Sequence, residues 1–190
     1  MTHVSIIGKG NMGQAISAVV EQGGSTVELF DSGDSARPVT GDLVVLAVPY
    51  PALAQVLAER ADQLAGKVVV DITNPLNFET FDSLVVPADG SAAAELAEKL
   101  PESKVLKAFN TTFAATVATG QAGEVPTTVL IAGDDAEAKD LLAAVVSKGG
   151  LRAVDAGPLK RARELEALGF LQLTLAVGEK VAWTGGFGLV

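Results

Sequence analysis

Short apolar runs alternate with longer amphipathic runs along the chain, and this pattern predicts an α/β fold. The segment "HVSIIG" predicts a buried strand at Val4–Ile7, and helical spacing of apolar positions follows over Asn11–Gln22. The further predicted strands are Thr26–Phe30, Leu43–Val48, Val68–Ile72, Lys104–Phe109, Thr127–Ala132 and Arg152–Asp155. The further predicted helices run from Pro49 to about Leu64, over Ala92–Leu100, over Ala136–Val146, and from Pro158 to about Val181.

The repeated order of strand and helix predicts a Rossmann-type, doubly wound and mainly parallel sheet with right-handed crossovers. The segment "DSGDSARPVTG" at 31–41 is too short for a crossover helix, so it is predicted as a loop. We expect residues 1–157 to form a dinucleotide-binding domain. The helix and tail of 158–190 would pack on it as part of one compact unit, and the helix would also form a homodimer.

Composition narrows the classes of function. The chain has 14 Lys and Arg against 23 Asp and Glu, a net charge of −9, one His and no Cys. These values exclude disulfides and thiolate metal sites and argue against nucleic acid and anionic membrane surfaces as partners. Neither a targeting segment nor an apolar run of membrane-spanning length is present. We therefore expect a cytoplasmic protein that acts on a small molecule and holds no metal.

A glycine-rich loop follows the first strand and opens the first helix. "GKGNMG" places glycines at Gly8, Gly10 and Gly13 in the G-x-G-x-x-G pattern. The first permits a tight turn, the second lets the backbone approach a pyrophosphate, and the third lets helix and strand pack closely. The helix N-terminus adds amide donors for the phosphates. The alternative is a tight turn without a ligand.

Residues near the second strand bear on the choice between NAD and NADP. Asp31 ends that strand, where an acidic side chain bonds the ribose 2′-hydroxyl of NAD and repels a 2′-phosphate. Lys9, Ser32 and Arg37 are candidates to bind that phosphate instead. Lys9 and Arg37 are equally open to interpretation as ordinary solvated charges.

Few side chains are suited to acid–base catalysis. His3 is predicted at the end of the sheet away from the ligand crevice, and Tyr50 lacks the lysine of a Tyr-x-x-x-Lys dyad. Lys107 is a weak candidate for a general acid, and it is expected instead to be solvated or to bind a cofactor phosphate. The large helical domain of hydroxyacid dehydrogenases is also missing, so a substrate would bind openly above the nicotinamide. Hydride transfer to a conjugated ring needs orientation more than a proton shuttle, so no catalytic residue is predicted.

Ligands of an open α/β sheet lie beyond the carboxyl ends of its strands. Those ends carry "AVPYP", "DITNPLN" and "KAFNTT", which mix apolar, amide and hydroxyl groups suited to a nicotinamide and its carboxamide. Asn74 and Asn110 are candidates for this wall, with local turn capping as the alternative.

The C-terminal region holds two further candidates. Lys160, Arg161 and Arg163 form a basic cluster that would attract an anionic substrate, or would be a solvated helix start. The segment "TGGFG" at Thr184–Gly188 would close over the ring site or form a simple tail.

The segments "SIIGKGNMGQAI", "LAVPYPAL", "VVVDITNPLN", "VLKAFNTT" and "VDAGPLKRARELEAL" together resemble the reductases that pass hydride between NADP and a deazaflavin coenzyme. Related domains occur in bacterial dinucleotide-binding oxidoreductases and at the N-terminus of metalloreductases. The resemblance extends from Val4 to the C-terminus. It implies NADP bound by the glycine loop, with Lys9 and Ser32 facing the 2′-phosphate, and Ala47, Val48 and Pro49 along the nicotinamide. The family's basic residue after the second strand is replaced by "DSG" here.

The sequence therefore predicts an NADP(H)-dependent oxidoreductase that transfers hydride to a flavin-like or deazaflavin acceptor, with NAD as the alternative nucleotide. A non-enzymatic NAD(P)-binding sensor that signals through a dimer is the second hypothesis. A pyrroline-carboxylate-type imine reductase is the third, although its helical dimer domain is absent. The predicted cofactor-binding residues are Gly8, Lys9, Gly10, Asn11, Met12, Gly13, Asp31, Ser32, Ala47, Val48, Pro49, Tyr50, Asn74, Pro75, Phe109 and Asn110.

Overall fold

A computed structural model describes residues 1–190 and places seven strands in one sheet. The strands are β1 (His3–Ile7), β2 (Thr26–Phe30), β3 (Leu43–Leu46), β4 (Val68–Asp71), β5 (Lys104–Lys107), β8 (Thr128–Gly133) and β9 (Arg152–Gly157). Their order is β2-β1-β3-β4-β5-β8-β9. β2 lies on one side of β1, and β3 and the later strands lie on the other side. The strand order therefore switches between β1 and β3, and such a switch point is where folds of this type open a ligand crevice.

Six α-helices flank the sheet. They are α1 (Asn11–Gln22), α2 (Leu53–Leu64), α3 (Ala92–Lys99), α4 (Ala114–Thr119), α5 (Ala136–Lys148) and α6 (Ala162–Val177). No helix lies between β2 and β3, as the short 31–41 segment predicts. The mainly parallel Rossmann-type fold is confirmed.

Both faces of the sheet are buried, which explains the continuous apolar runs of its strands. Along β3, Leu43 and Val45 belong to the core cluster that includes side chains of α1, α4 and α5. Val44 and Leu46 point the other way, into the cluster with α2 and α3. Alternation along a strand therefore serves two cores rather than a core and a solvent face.

One strand pair is antiparallel in this sheet, which was predicted to be mainly parallel with right-handed crossovers. β5 and β8 pair antiparallel, while the other sheet pairs are parallel. Between them the chain forms α4 and a small hairpin of β6 (Gln121–Ala122) with β7 (Val125–Pro126), and neither was predicted. A six-residue helix and two-residue strands are too short to produce a periodic pattern.

The C-terminal helix is shorter than predicted. A 3₁₀ turn at Leu159–Arg161 precedes α6, and Gly178 follows its last residue. Beyond it, Trp183 packs on Phe113 with ring centroids 4.9 Å apart, and the Phe187 amide donates to Gln172 Oε1. None of the helices combines the length and the apolar character needed to span a bilayer.

Candidate functional site

The glycine loop between β1 and α1 has a geometry that side chains would break. Gly8 has a φ of +119°, and a Cβ there would lie 2.1 Å from the Ala47 carbonyl oxygen. A Cβ on Gly13 would lie 2.0 Å from the Gly8 carbonyl oxygen, so this glycine lets helix and loop pack closely. A Cβ on Gly10 would meet nothing within 4 Å. The loop is therefore tight at its two ends and open in the middle.

The N-terminus of α1 is free to bind an anion. Gly10 occupies the N-cap position, no side chain caps the helix, and its first turn has no acidic residue. The first amides of a helix have no partner within the helix, and its dipole favours negative charge at that end. With the open space at Gly10, this arrangement fits the pyrophosphate of a dinucleotide.

A cavity of about 330 Å³ lies beside this helix start and extends across the carboxyl ends of β1, β3, β4 and β5. Ten of the predicted site residues line it: Gly10, Asn11, Met12, Ala47, Val48, Pro49, Tyr50, Asn74, Phe109 and Asn110. Gly8 and Gly13 shape the adjacent loop. Pro75 is buried outside the cavity lining, where its carbonyl oxygen accepts from the Val85 amide.

Five lining residues were not predicted: Ile72, Thr73, Phe78, Thr112 and Leu173. Ile72, Thr73 and Thr112 belong to the strand-end motifs "DITNPLN" and "KAFNTT", so their place at the cavity could have been predicted from sequence. Phe78 and Leu173 had no local signal. The long loop after β4 and the C-terminal helix bring these two side chains to the cavity from distant parts of the chain.

Tyr50 is the one titratable side chain in the cavity lining. Its hydroxyl donates to Glu95 Oε2 at 2.8 Å. Burial and then this hydrogen bond raise the pKa of Tyr50 to about 12. The phenol is therefore neutral at physiological pH, and the cavity wall carries no charge.

Asn74 and Asn110 bond each other across neighbouring loops. Asn74 Nδ2 donates to the Asn110 carbonyl oxygen at 2.9 Å, and Asn110 Nδ2 donates to Asn74 Oδ1 at 3.0 Å. Asn110 Nδ2 also donates to the Leu165 carbonyl oxygen of α6 at 2.8 Å. Local turn capping, the alternative weighed from sequence, does not describe these bonds.

Lys107 is fully buried, so the expectation of a solvated or phosphate-binding lysine is wrong. Its Nζ lies 2.8 Å from both Asp71 Oδ2 and Glu166 Oε1, and it donates to the Thr73 carbonyl oxygen at 2.6 Å. Asp71 is its register partner on β4, and Glu166 reaches in from α6. Burial raises the pKa of Glu166, while the Lys107 charge opposes that rise.

Lys9 lies near the carboxyl end of β2, between two carboxylates. Its Nζ is 2.9 Å from Asp31 Oδ2 and 3.3 Å from Asp34 Oδ2. The hydrogen bond between Lys9 and Asp31 raises the pKa of the lysine and lowers that of the aspartate. Ser32 is exposed beside them. This cluster offers both a cation and an anion to the ribose of a bound nucleotide.

Arg37 is engaged within the fold rather than free. It donates to the Leu29 carbonyl oxygen and to Glu28, and its guanidinium lies 4.1 Å from the centre of the Phe30 ring.

His3 lies at the start of β1, where its ring nitrogens hydrogen-bond with the hydroxyls of Thr26 and Thr40. Its position at the end away from the crevice agrees with the prediction.

In the C-terminal basic cluster, Arg161 pairs with Glu164 at 3.2 Å. Lys160 and Arg163 are exposed. Neither Arg161 nor these two residues line the cavity.

The sequence is similar to that of known NADP reductases. The family model described as NADP oxidoreductase, coenzyme F420-dependent, matches residues 17–75. The F420-dependent NADP reductase of Methanocaldococcus jannaschii is 31% identical over 171 residues, which cover 88% of this chain and 76% of that protein. The reductase of the same name from Methanothermobacter thermautotrophicus is 33% identical over 181 residues, covering 90% and 77%.

The fold has a close counterpart among solved structures. A crystal structure of a candidate F420-dependent NADP reductase from Arthrobacter sp. FB24 aligns over 100% of both chains with a TM-score of 0.87. At 23% sequence identity, this likeness shows a shared fold and nothing about function. The identity to the two archaeal reductases shows the family. The chain belongs to the F420-dependent NADP reductases, which are oxidoreductases whose nicotinamide nucleotide is NADP(H).

Proposed function

We propose that this protein is an NADP(H)-dependent reductase that transfers hydride between the nicotinamide and a flavin-like or deazaflavin acceptor in the uncharged cavity. One observation carries the proposal: the uncapped start of α1 and the open Gly10 stand directly beside a cavity without a charged lining residue. The helix start and the open space at Gly10 suit a pyrophosphate. The cavity suits two stacked uncharged rings.

Each part of the site has a task in this proposal. The backbone amides of Asn11, Met12 and Gly13 would bind the pyrophosphate. Ala47, Val48 and Pro49, which follow β3, would pack against the nicotinamide. When bound, NADPH supplies the hydride from its nicotinamide ring. The protein contributes orientation of the two rings and exclusion of water.

The acceptor side would be formed by the apolar side chains at the far wall. Phe78 and Leu173 line the cavity from the loop after β4 and from α6. Phe78 is 50% exposed, so it stands at the cavity mouth rather than in the core. A planar acceptor would gain apolar contact there.

NADP(H) is proposed as the preferred nucleotide, with NAD(H) as a weaker ligand. Family membership and the Lys9 ammonium support the 2′-phosphate, with the exposed Ser32 as a further donor. Asp31 supports a 2′-hydroxyl. Lys9 is already near two carboxylates, so part of its attraction for a phosphate is offset.

The sensor and imine reductase hypotheses have less support. The curated relatives are named as reductases, and no observation in the structure points to signalling.

We propose a cytoplasmic location for this protein. We also propose a homodimer built on α6, where Leu171 and Val177 are 48% and 47% exposed. Sedimentation of the wild-type protein beside a Leu171→Glu variant tests the dimer. A wild-type monomer at micromolar concentration would contradict it.

The first experiment measures anaerobic oxidation of NADPH and NADH by the purified protein, with a deazaflavin, FMN, riboflavin and a quinone as separate acceptors. Loss of reduced-nicotinamide absorbance reports turnover, and nicotinamide fluorescence reports binding on the same sample. We expect turnover with a ring acceptor and faster reaction with NADPH. Tight binding without turnover across the panel would reject the ring-acceptor function, and ligand-dependent assembly in that case would favour a sensor.

A further inference from the structure

Two buried side-chain oxygen atoms, both on residues that line the cavity, have no hydrogen-bond partner. They are Thr73 Oγ1 and Asn110 Oδ1. Both residues line the cavity, and they are 3% and 4% exposed. Buried polar atoms of native proteins are almost always paired, so an unpaired atom at a binding cavity calls for a functional explanation.

The rest of Thr73 is held firmly. Its amide donates to Asp71 Oδ1 at 2.8 Å, and its carbonyl oxygen accepts from Lys107 Nζ. Asp71 and Lys107 are themselves paired in full burial. The buried ion pair therefore fixes the Thr73 backbone at both ends and leaves the hydroxyl as the one polar group of this residue without a bond.

Asn110 is fixed in the same way. Its Nδ2 faces two acceptors, Asn74 Oδ1 and the Leu165 carbonyl oxygen. Exchanging the amide oxygen and nitrogen would set oxygen against both acceptors, so the free atom is the oxygen. Gly169 of α6 permits this packing, because a Cβ there would lie 2.3 Å from Asn74 Oδ1.

The two free groups complement an amide. A hydroxyl donates a hydrogen bond, and a side-chain amide oxygen accepts one. A primary carboxamide presents the matching carbonyl oxygen and N–H. Of the other polar lining residues nearby, Asn74 bonds Asn110, and the Thr112 hydroxyl donates to the Phe109 carbonyl oxygen. The unmet hydrogen-bonding capacity in this part of the cavity therefore belongs to Thr73 and Asn110.

We propose that Thr73 and Asn110 recognise the carboxamide of the nicotinamide: the Thr73 hydroxyl donates to its oxygen, and Asn110 Oδ1 accepts from its N–H. This assignment rests on the proposed function. It adds a specificity device that orients the ring about its own axis and thereby selects the face that transfers hydride. The flavin and deazaflavin rings also carry amide-like groups, so the test separates the two sources.

The test compares Thr73→Val with Thr73→Ser as the matched control that retains the hydroxyl. Binding of NADPH is titrated without any acceptor, and thermal unfolding is followed on the same samples. Replacing an unpaired buried hydroxyl by an isosteric methyl leaves folding unharmed. We expect an equal or higher Tm for Thr73→Val together with about tenfold weaker NADPH binding, and near wild-type binding for Thr73→Ser.

A ligand variant probes Asn110 without changing the protein. The 3-acetylpyridine analogue of NADPH keeps the carbonyl oxygen but replaces the amide nitrogen by a methyl group. We expect wild-type protein to bind it about tenfold or more weakly, since a site built for an N–H is left unpaired. The Thr73→Ser variant should show the same discrimination.

Three results would overturn the assignment. Equal binding of NADPH and its acetylpyridine analogue would show that no N–H is read. Unchanged NADPH binding by Thr73→Val with a raised KM for the acceptor would assign the pair to the acceptor ring instead. Unchanged binding and unchanged KM would give the hydroxyl no ligand role. Absence of NADPH binding by the wild-type protein is a different result, because it rejects the proposed function itself.

Discussion

Lys9 and Asp31 are the pair of side chains that we expect to set the choice of nucleotide. Separated by 22 positions in sequence, they meet at 2.9 Å beside the cradle. The motif around Lys9 predicts a glycine loop but leaves the partners of its lysine undefined. Each charge reduces the effect of the other on a nucleotide ribose, so this chain is expected to discriminate less sharply than one with a free cation at this place.

Lys9→Ala is predicted to lower the ratio of NADPH to NADH affinity by about tenfold, because it removes the cation and leaves two carboxylates near the 2′-phosphate. Asp31→Asn should raise the same ratio. Fluorescence titrations of both nucleotides at one fixed ionic strength measure it. An unchanged ratio in Lys9→Ala would mean that the lysine does not contact the phosphate.

Tyr50→Phe is predicted to change kcat by less than about threefold, whereas loss of a general acid costs about 100-fold or more. The reason is that the Tyr50 hydroxyl is committed to Glu95 and its pKa is raised to about 12. The rate between pH 6 and pH 9 should accordingly show no titration from this group. Steady-state kinetics of both proteins over that range measure it, and a large fall in kcat would assign Tyr50 a proton-transfer role.

Among the helices, α1 and α6 contribute to the site in different ways. α1 could be predicted from its own segment, because the glycine pattern, the helical periodicity and the final glycines are all local. α6 was predicted as a helix, but it is shorter at both ends than predicted. Its contacts with the site residues were not predicted. Leu165 O, Glu166 and Leu173 act on residues that are 55 or more positions away in the chain.

Gly10→Asp is predicted to stabilise the fold and to abolish nucleotide binding. Gly10 sits at the N-cap with extended backbone and open space, where an aspartate would cap α1 and gain a few tenths of a kcal/mol or more. The same carboxylate would repel the pyrophosphate. Thermal unfolding and NADPH titration measure both effects, and Gly10→Ala serves as the uncharged control. Retained NADPH binding in Gly10→Asp would place the pyrophosphate elsewhere.

Considered as a whole, the molecule joins its cavity walls at one buried ionic centre. Lys107 on β5 meets Asp71 on β4 and Glu166 on α6, and Glu166 also accepts from the amides of Ala92 and Ala93 at the start of α3. Asp71 and Lys107 stand at the carboxyl ends of their strands, each directly after a buried apolar residue. A charge at such a position indicates a partner without indicating which one.

Lys107→Met is predicted to lower the free energy of unfolding by about 3–5 kcal/mol, because two buried carboxylates lose their cation. Lys104→Met on the same strand is the control. Lys104 pairs with Asp135 at the surface, where its side chain is 43% exposed, so the change should cost less than about 1 kcal/mol. Urea unfolding followed by circular dichroism measures both. Equal small losses would show that the ionic centre does not stabilise the fold.

The strands of the seven-stranded sheet, most helices, the glycine loop and the three strand-end motifs could be predicted from sequence, since these depend on local periodicity and on backbone needs met within a few residues. Four features depend on the tertiary fold: the antiparallel pairing of β8 with β5, the burial of Lys107, the pairing of Asn74 with Asn110, and the positions of Phe78 and Leu173 at the cavity. Each of these joins segments far apart in the chain. Hydrophobic patterning reports whether a residue is buried, but it does not report which distant residue will be its neighbour.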